Sequence, residues 1–177
     1  PPKLQKTSLF LWHFIKMSYF WHIKNTKNQD IAMEKKITQE NFEDTYVDSI
    51  LNELDAKNVF DNWSGWVHIT GDMVAKCNPQ VIIIITSQYH ATQDEYDYMF
   101  SHLAEQWKST DAWKNGKVYM ICDGAAEMAQ RFGPRTPQFA EIVCRIIHSE
   151  CFSEEFPLFI GDDYSNYLTF SKEMNYD

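Results

Sequence analysis

A chain of 177 residues is long enough for one domain with a substantial core and too short for two large lobes. Its hydrophobic fraction of 44% and aromatic fraction of 15% exclude a disordered chain. A net charge of −9 excludes nucleic-acid binding through a basic surface. Four cysteines, Cys77, Cys122, Cys144 and Cys151, have neither paired metal-ligand spacing nor the density of a disulfide scaffold. They read as free thiols, with Cys144 and Cys151 buried.

The first apolar run, "SLFLWHFIKMSYFWHI" at 8–23, is interrupted by His13, Lys16, Ser18 and His22 and has no small-residue cleavage site. It therefore fits neither a membrane span nor a signal peptide. The run predicts a buried strand over 8–14 entering an aromatic loop, and the polar stretch 24–40 predicts a solvated insertion. From Thr45, the residues Tyr46, Val47, Ile50, Leu51 and Leu54 share one helical face, with Thr45 as N-cap and Asp48 three residues on. That spacing predicts a helix of about three turns. "ITGDMVAKCNP", 69–79, predicts a short helix capped by Thr70 and stopped at Pro79.

"VIIIIT", 81–86, is a continuous β-branched run of strand length, which requires burial on both faces and hence a parallel sheet covered by helices. A helix is predicted over 94–107. The Asn115-Gly116 turn, whose residues tolerate positive φ, then leads into a strand over 117–122. The last predicted helix, 137–148, has Pro137 in its first turn and Phe139, Ile142, Val143, Ile146 and Ile147 facing inward. This order predicts an α/β fold, a three-layer α/β/α sandwich. Its mainly parallel sheet has about four strands, with 81–86 at the centre.

In open α/β sheets, ligands lie beyond the carboxyl ends of the strands. Three predicted loops converge there: one after 8–14 with Trp12, His13, Tyr19, Trp21 and His22, one after 81–86 with Gln88, Tyr89 and His90, and one after 117–122 with Asp123, Glu127, Arg131 and Arg135. Aromatic rings with a few polar tips suit a flat metal chelate or macrocycle, because rings bury a large apolar area at little entropic cost. The histidines are too scattered to form a metal-ligand signature. No Gly-rich phosphate loop, GxSxG or HExxH motif occurs. Asp123, Glu127 and His90 offer an acid–base set on paper only. The chain reads as a binding module without catalytic activity and without a cofactor or bound metal of its own.

The helix at 45–54 is followed by "NVF" (58–60), "GWVHITGDMVAKCNPQVIIII" (65–85), "EQWKSTDAWKNGKVYMI" (105–121) and "GPRTPQFAEIVCRIIHSECF" (133–152). This succession resembles the C-terminal lobe of the periplasmic-binding proteins that serve ABC importers for iron-siderophores, haem and vitamin B12. The resemblance covers 45–152, and order and spacing carry it, since no single motif is specific. Asp55-Ala56 stands where the family has paired glycines, and His148-Ser149-Glu150 replaces His-Pro-Glu. The loop 15–38, moreover, has no family counterpart, and the family's N-terminal lobe and interlobe helix have none in this chain.

The resemblance implies one ligand-binding lobe of an importer's substrate-binding protein, with an iron-siderophore, haem or cobalamin as ligand. The ligand wall would be Tyr19, Trp21, Tyr89, His90, Arg131 and Arg135, with Arg135 of the Gly-Pro-Arg segment facing an anionic group. Glu53 and Asp55 would dock onto arginines of the permease. The implied location is extracytoplasmic, periplasmic or membrane-anchored at the cell surface, with the signal segment outside this chain. A lone lobe with an aromatic 10–23 segment is further expected to form a homodimer. The alternative is a stand-alone interaction or structural domain derived from that lobe, without a transport ligand.

Overall fold

A computed structural model describes residues 7–13, 46–60, 69–130 and 133–172. The elements in chain order are β1 (Thr7–His13), α1 (Tyr46–Glu53), β2 (Ala56–Asn58), α2 (Gly71–Cys77), β3 (Val81–Ile85), α3 (Gln93–Ser101), α4 (Asp111–Lys114), β4 (Val118–Ile121), α5 (Asp123–Ala129), α6 (Thr136–Ile147) and β5 (Phe159–Ile160). Short 3₁₀ helices cover Glu105–Ser109, Ser149–Cys151 and Asp162–Tyr167. The strands form one sheet in the order β2-β1-β3-β4-β5, every pair parallel. The fold is the expected α/β sandwich.

The run Val81–Ile85 explains the layering. All five residues are buried, and their side chains alternate between two cores. Val81, Ile83 and Ile85 pack with Leu51 of α1, Ala126 of α5 and Phe139, Ile142 and Ile146 of α6. Ile82 and Ile84 pack with Val74 of α2, Tyr96 and Met99 of α3 and Trp107. Fully burying one such Ile contributes about 1.5–3 kcal/mol, so β3, flanked by β1 and β4, anchors both cores.

Several local expectations are met in detail. The hydroxyl of Thr70 accepts the N–H of Met73 at 3.3 Å, and Asn78, at φ 44°, closes α2 immediately before Pro79. In α6, Pro137 occupies the first turn and Phe139, Ile142, Val143, Ile146 and Ile147 are buried. Gly116 supplies the positive φ of the turn before β4, at 64°, whereas Asn115 keeps a φ of −97°.

Other expectations are corrected. The first helix has about two turns, not three, because the chain leaves it at Leu54 and Asp55, the latter at φ 53°. Thr45 lies outside the described residues. Asp48 accepts a hydrogen bond from the amide of Asn58 at 3.2 Å, tying α1 to the end of β2. The segment 94–107 is not one helix. It ends at Ser101 and resumes as the turn 105–109 carrying buried Trp107, and Thr110 starts the separate helix α4 by accepting the N–H of Trp113 at 3.3 Å. Trp12 and His13 belong to β1, in register with Ile84 and Ile85, not to the loop after it. Asp123 and Glu127 belong to helix α5, and β2 and β5 complete a sheet of five strands. Cys151 is exposed and Cys144 half-buried, whereas Cys122 is fully buried; all four thiols are free.

Candidate functional site

Because all strand pairs are parallel, the segments leaving β3, β4 and β5 meet at one end of the sheet. After β3, the buried Thr86 donates its N–H to Ile121 O at 2.9 Å, and its hydroxyl accepts the N–H of Gln88 at 3.1 Å, which bends the chain outward. Tyr89 is half-buried against the α3 face, and its ring centroid lies 6.3 Å from that of the exposed Tyr98. His90 follows with a side chain 75% exposed. Its N–H donates to Glu95 Oε2 at 2.6 Å, and Thr92 caps α3 by accepting the N–H of Glu95 at 3.3 Å.

Asp123 leaves β4 at φ 48° and turns its carboxylate toward this loop. One oxygen lies 2.7 Å from His90 Nδ1, and the other accepts the N–H of Ala91 at 3.0 Å. After β5, Asp162 Oδ1 accepts the N–H of Gly124 at 2.9 Å. A Cβ on Gly161 would stand 2.5 Å from the Ala91 Cβ and 2.8 Å from Asp123 Oδ2, so only glycine fits there. The three loops thus form one interlocked rim.

Glu95, Asp123, Asp162 and Asp163 make the rim's field negative. The hydrogen bond that His90 donates to Asp123, then the charge of Asp123 and those of Glu95 and Asp162, push the His90 pKa above its ordinary value. Burial, followed by the same carboxylates and Asp163, pushes the Cys122 thiol up to about 12. Burial first, then Tyr98 and Glu95, raises the Tyr89 phenol.

The structure brings together Tyr89, His90 and Asp123. Glu127 is exposed on α5, and no group of three or more His, Cys, Asp or Glu residues able to hold a metal ion occurs among the described residues. His148 at the end of α6 contacts Leu54 O through Nε2 at 2.7 Å, just before β2 begins. That end of α6 therefore lies where strands start. Exposed Arg135, at the other end of this 12-residue helix, lies toward the rim but on the α5–α6 face, opposite the one that holds Tyr89. Glu53 and Asp55, beside Leu54, lie at the end of the sheet remote from the rim. Tyr19, Trp21 and Arg131 lie outside the described residues, as do His22 and the loop 15–38. Asp162 and Gly161 were not anticipated, although the Gly-Asp-Asp run at 161–163 after apolar Phe159-Ile160 is a turn signal that marks a strand end.

No family model matches the chain. Over 111 residues, 63% of its length, the chain is 28% identical to YvrC, an uncharacterized ABC transporter substrate-binding lipoprotein of Bacillus subtilis (strain 168). This chain resembles substrate-binding proteins of ABC transporters. The match spans about a third of that relative, 32% of its length. A solved structure described as a possible iron-binding (periplasmic solute-binding) protein from Staphylococcus epidermidis ATCC 12228 superposes with a TM-score of 0.55 at 20% identity. The superposition covers 84% of this chain and 47% of that one, and it shows a shared fold.

Proposed function

We propose that this chain forms one wall of the ligand cleft of an ABC importer's substrate-binding protein, and that the ligand is a metal chelate such as an iron-siderophore, haem or a corrinoid. The observation that carries this reading is the 111-residue similarity to a transporter substrate-binding lipoprotein. Tyr89 and His90 support it as an aromatic ring and a nitrogen donor on the loop beyond the carboxyl end of β3, the region where open α/β sheets commonly hold ligands. Arg135 takes part in no ion pair among the described residues, which suits an anionic group on the ligand. The partner is the permease, in an extracytoplasmic setting, with docking through the acidic Glu53 and Asp55 at the end remote from the rim.

Absorbance titration with ferric haem, aquocobalamin and a ferric siderophore tests this reading. Saturable binding of one probe, weakened by Tyr89→Ala or by Arg135→Ala, supports it. Absence of binding by all three overturns it.

A further inference from the structure

We infer that His90 donates its Nε2 to a metal ion carried by the ligand, and that Asp123 is the positioning residue that holds the imidazole for this. The inference rests on the metal-chelate reading above and narrows it.

A carboxylate can only accept hydrogen bonds, so the 2.7 Å contact between Asp123 and His90 requires the proton on Nδ1. In the neutral imidazole the lone pair then resides on Nε2. That nitrogen belongs to a side chain 75% exposed and has no hydrogen-bond partner among the described residues. A carboxylate behind the ring fixes the tautomer, aims the ring and raises the basicity of the distal nitrogen, as is usual behind metal-bound histidines. The positioning is over-determined. Asp123 is held by the Ala91 N–H, His90 by its own N–H to Glu95, and the Ala91–Asp123 pair is braced from above by Gly161, which has no room for a side chain.

The same geometry limits the kind of metal. Among the described residues no group of three or more His, Cys, Asp or Glu could hold a metal ion, so the rim builds no ligand cage, and His90 Nε2 is the nitrogen donor that it exposes. One donor suits a metal whose other positions are filled by its own macrocycle and whose axial position is exchangeable, such as haem iron or corrinoid cobalt. A hexadentate siderophore leaves its iron no position for His90. Tyr89, the preceding residue and half-buried, adds to the same loop an aromatic ring of the kind that covers the flat face of such a macrocycle.

The test uses the visible spectra of aquocobalamin and ferric haem, which change when a nitrogen enters the axial position. With the wild-type chain and excess probe, one of them shifts to its nitrogen-ligated form. His90→Ala, an exposed substitution whose fold is checked by circular dichroism, loses the shift. Asp123→Asn keeps the shift with affinity lowered about 10–100-fold, the range for loss of a carboxylate behind a ligating histidine. His102→Ala, remote from the Asp123 carboxylate, changes nothing. A nitrogen-ligated spectrum that survives His90→Ala overturns the inference. So does retention of a probe in equilibrium dialysis with no spectral shift, although the chelate reading then stands. If the chain retains neither probe nor a ferric siderophore, both fall.

Discussion

Glu141, on α6, accepts both the N–H and the hydroxyl of Ser171, thirty positions later, at 2.8 and 2.7 Å. The same carboxylate takes the N–H groups of Thr169 and Phe170, and Arg145, one turn on, donates to the Thr169 hydroxyl while lying over the Phe152 ring at 4.4 Å. One buried side chain thus satisfies three consecutive backbone donors and ties the segment after β5 to the long helix.

Removing that carboxylate should be costly. Glu141→Ala leaves the three N–H groups without their acceptor, at about 1–3 kcal/mol for each group that stays buried, with partial relief where water enters. Urea denaturation should show a midpoint well below that of wild type, and hydrogen exchange at 169–171 should accelerate before the rest of the fold. Unchanged exchange there would mean that the segment is held by other contacts.

The same site predicts an acid limb of the stability curve. Burial raises the Glu141 pKa, but the hydrogen bonds from Ser171, Thr169 and Phe170 outweigh it and hold the group below the ordinary carboxylate value. A pKa lower in the folded than in the unfolded chain adds stability above the unfolded value, and that stability is lost as pH falls through the folded one. Thermal midpoints of wild type and Glu141→Gln should therefore converge as pH is lowered below the usual carboxylate range. A gap between them that stays constant with pH would contradict the assignment.

Gly161→Ala should destabilise by about 1–3 kcal/mol, because its new Cβ meets Ala91 Cβ at 2.5 Å and Asp123 Oδ2 at 2.8 Å. Ala91→Gly in the same chain removes the first clash and should recover part of the loss. A double-mutant cycle by denaturation measures the coupling, and additive effects would show that the two loops do not press on each other.

Thiol chemistry should discriminate sharply among the cysteines. Cys122 is buried, donates to Ile160 O at 3.3 Å and has its pKa pushed up to about 12, whereas Cys151 is exposed. At neutral pH a thiol reagent should modify Cys151 readily and Cys122 only on unfolding, as peptide mapping by mass spectrometry would show.

The parts of the fold foreseen from the sequence are those with a local cause. The unbroken β-branched run of β3, the Thr70 cap and the apolar period of α6 each carry their own signal within a dozen residues. By contrast, β5 is two residues long and exists because Phe159 and Ile160 pair with Met120 and Ile121, a partnership of high sequence separation. Helix α5 begins at Asp123 with positive φ and no side-chain cap, so its start carries no recognisable signal. Its Ala125, Ala126 and Ala129 let it lie close to the sheet, a property of packing that composition does not announce. The site follows the same division. Tyr89 and His90 could be placed after a strand because that strand was evident. The contact of His90 with Asp123, 33 residues away, arises only once β3 and β4 are side by side.

The sheet of the described residues ends on β2 at one side and β5 at the other, three and two residues long. Such stubs offer a neighbouring molecule very few free backbone groups to pair with, and Lys57 lies exposed on one of them. Fibril-like stacking of sheet on sheet edge is thereby discouraged at both of these borders. Self-association of this chain at these two borders is then left to side-chain surfaces, whose sequence can be tuned without disturbing the ladder that holds the loops in place.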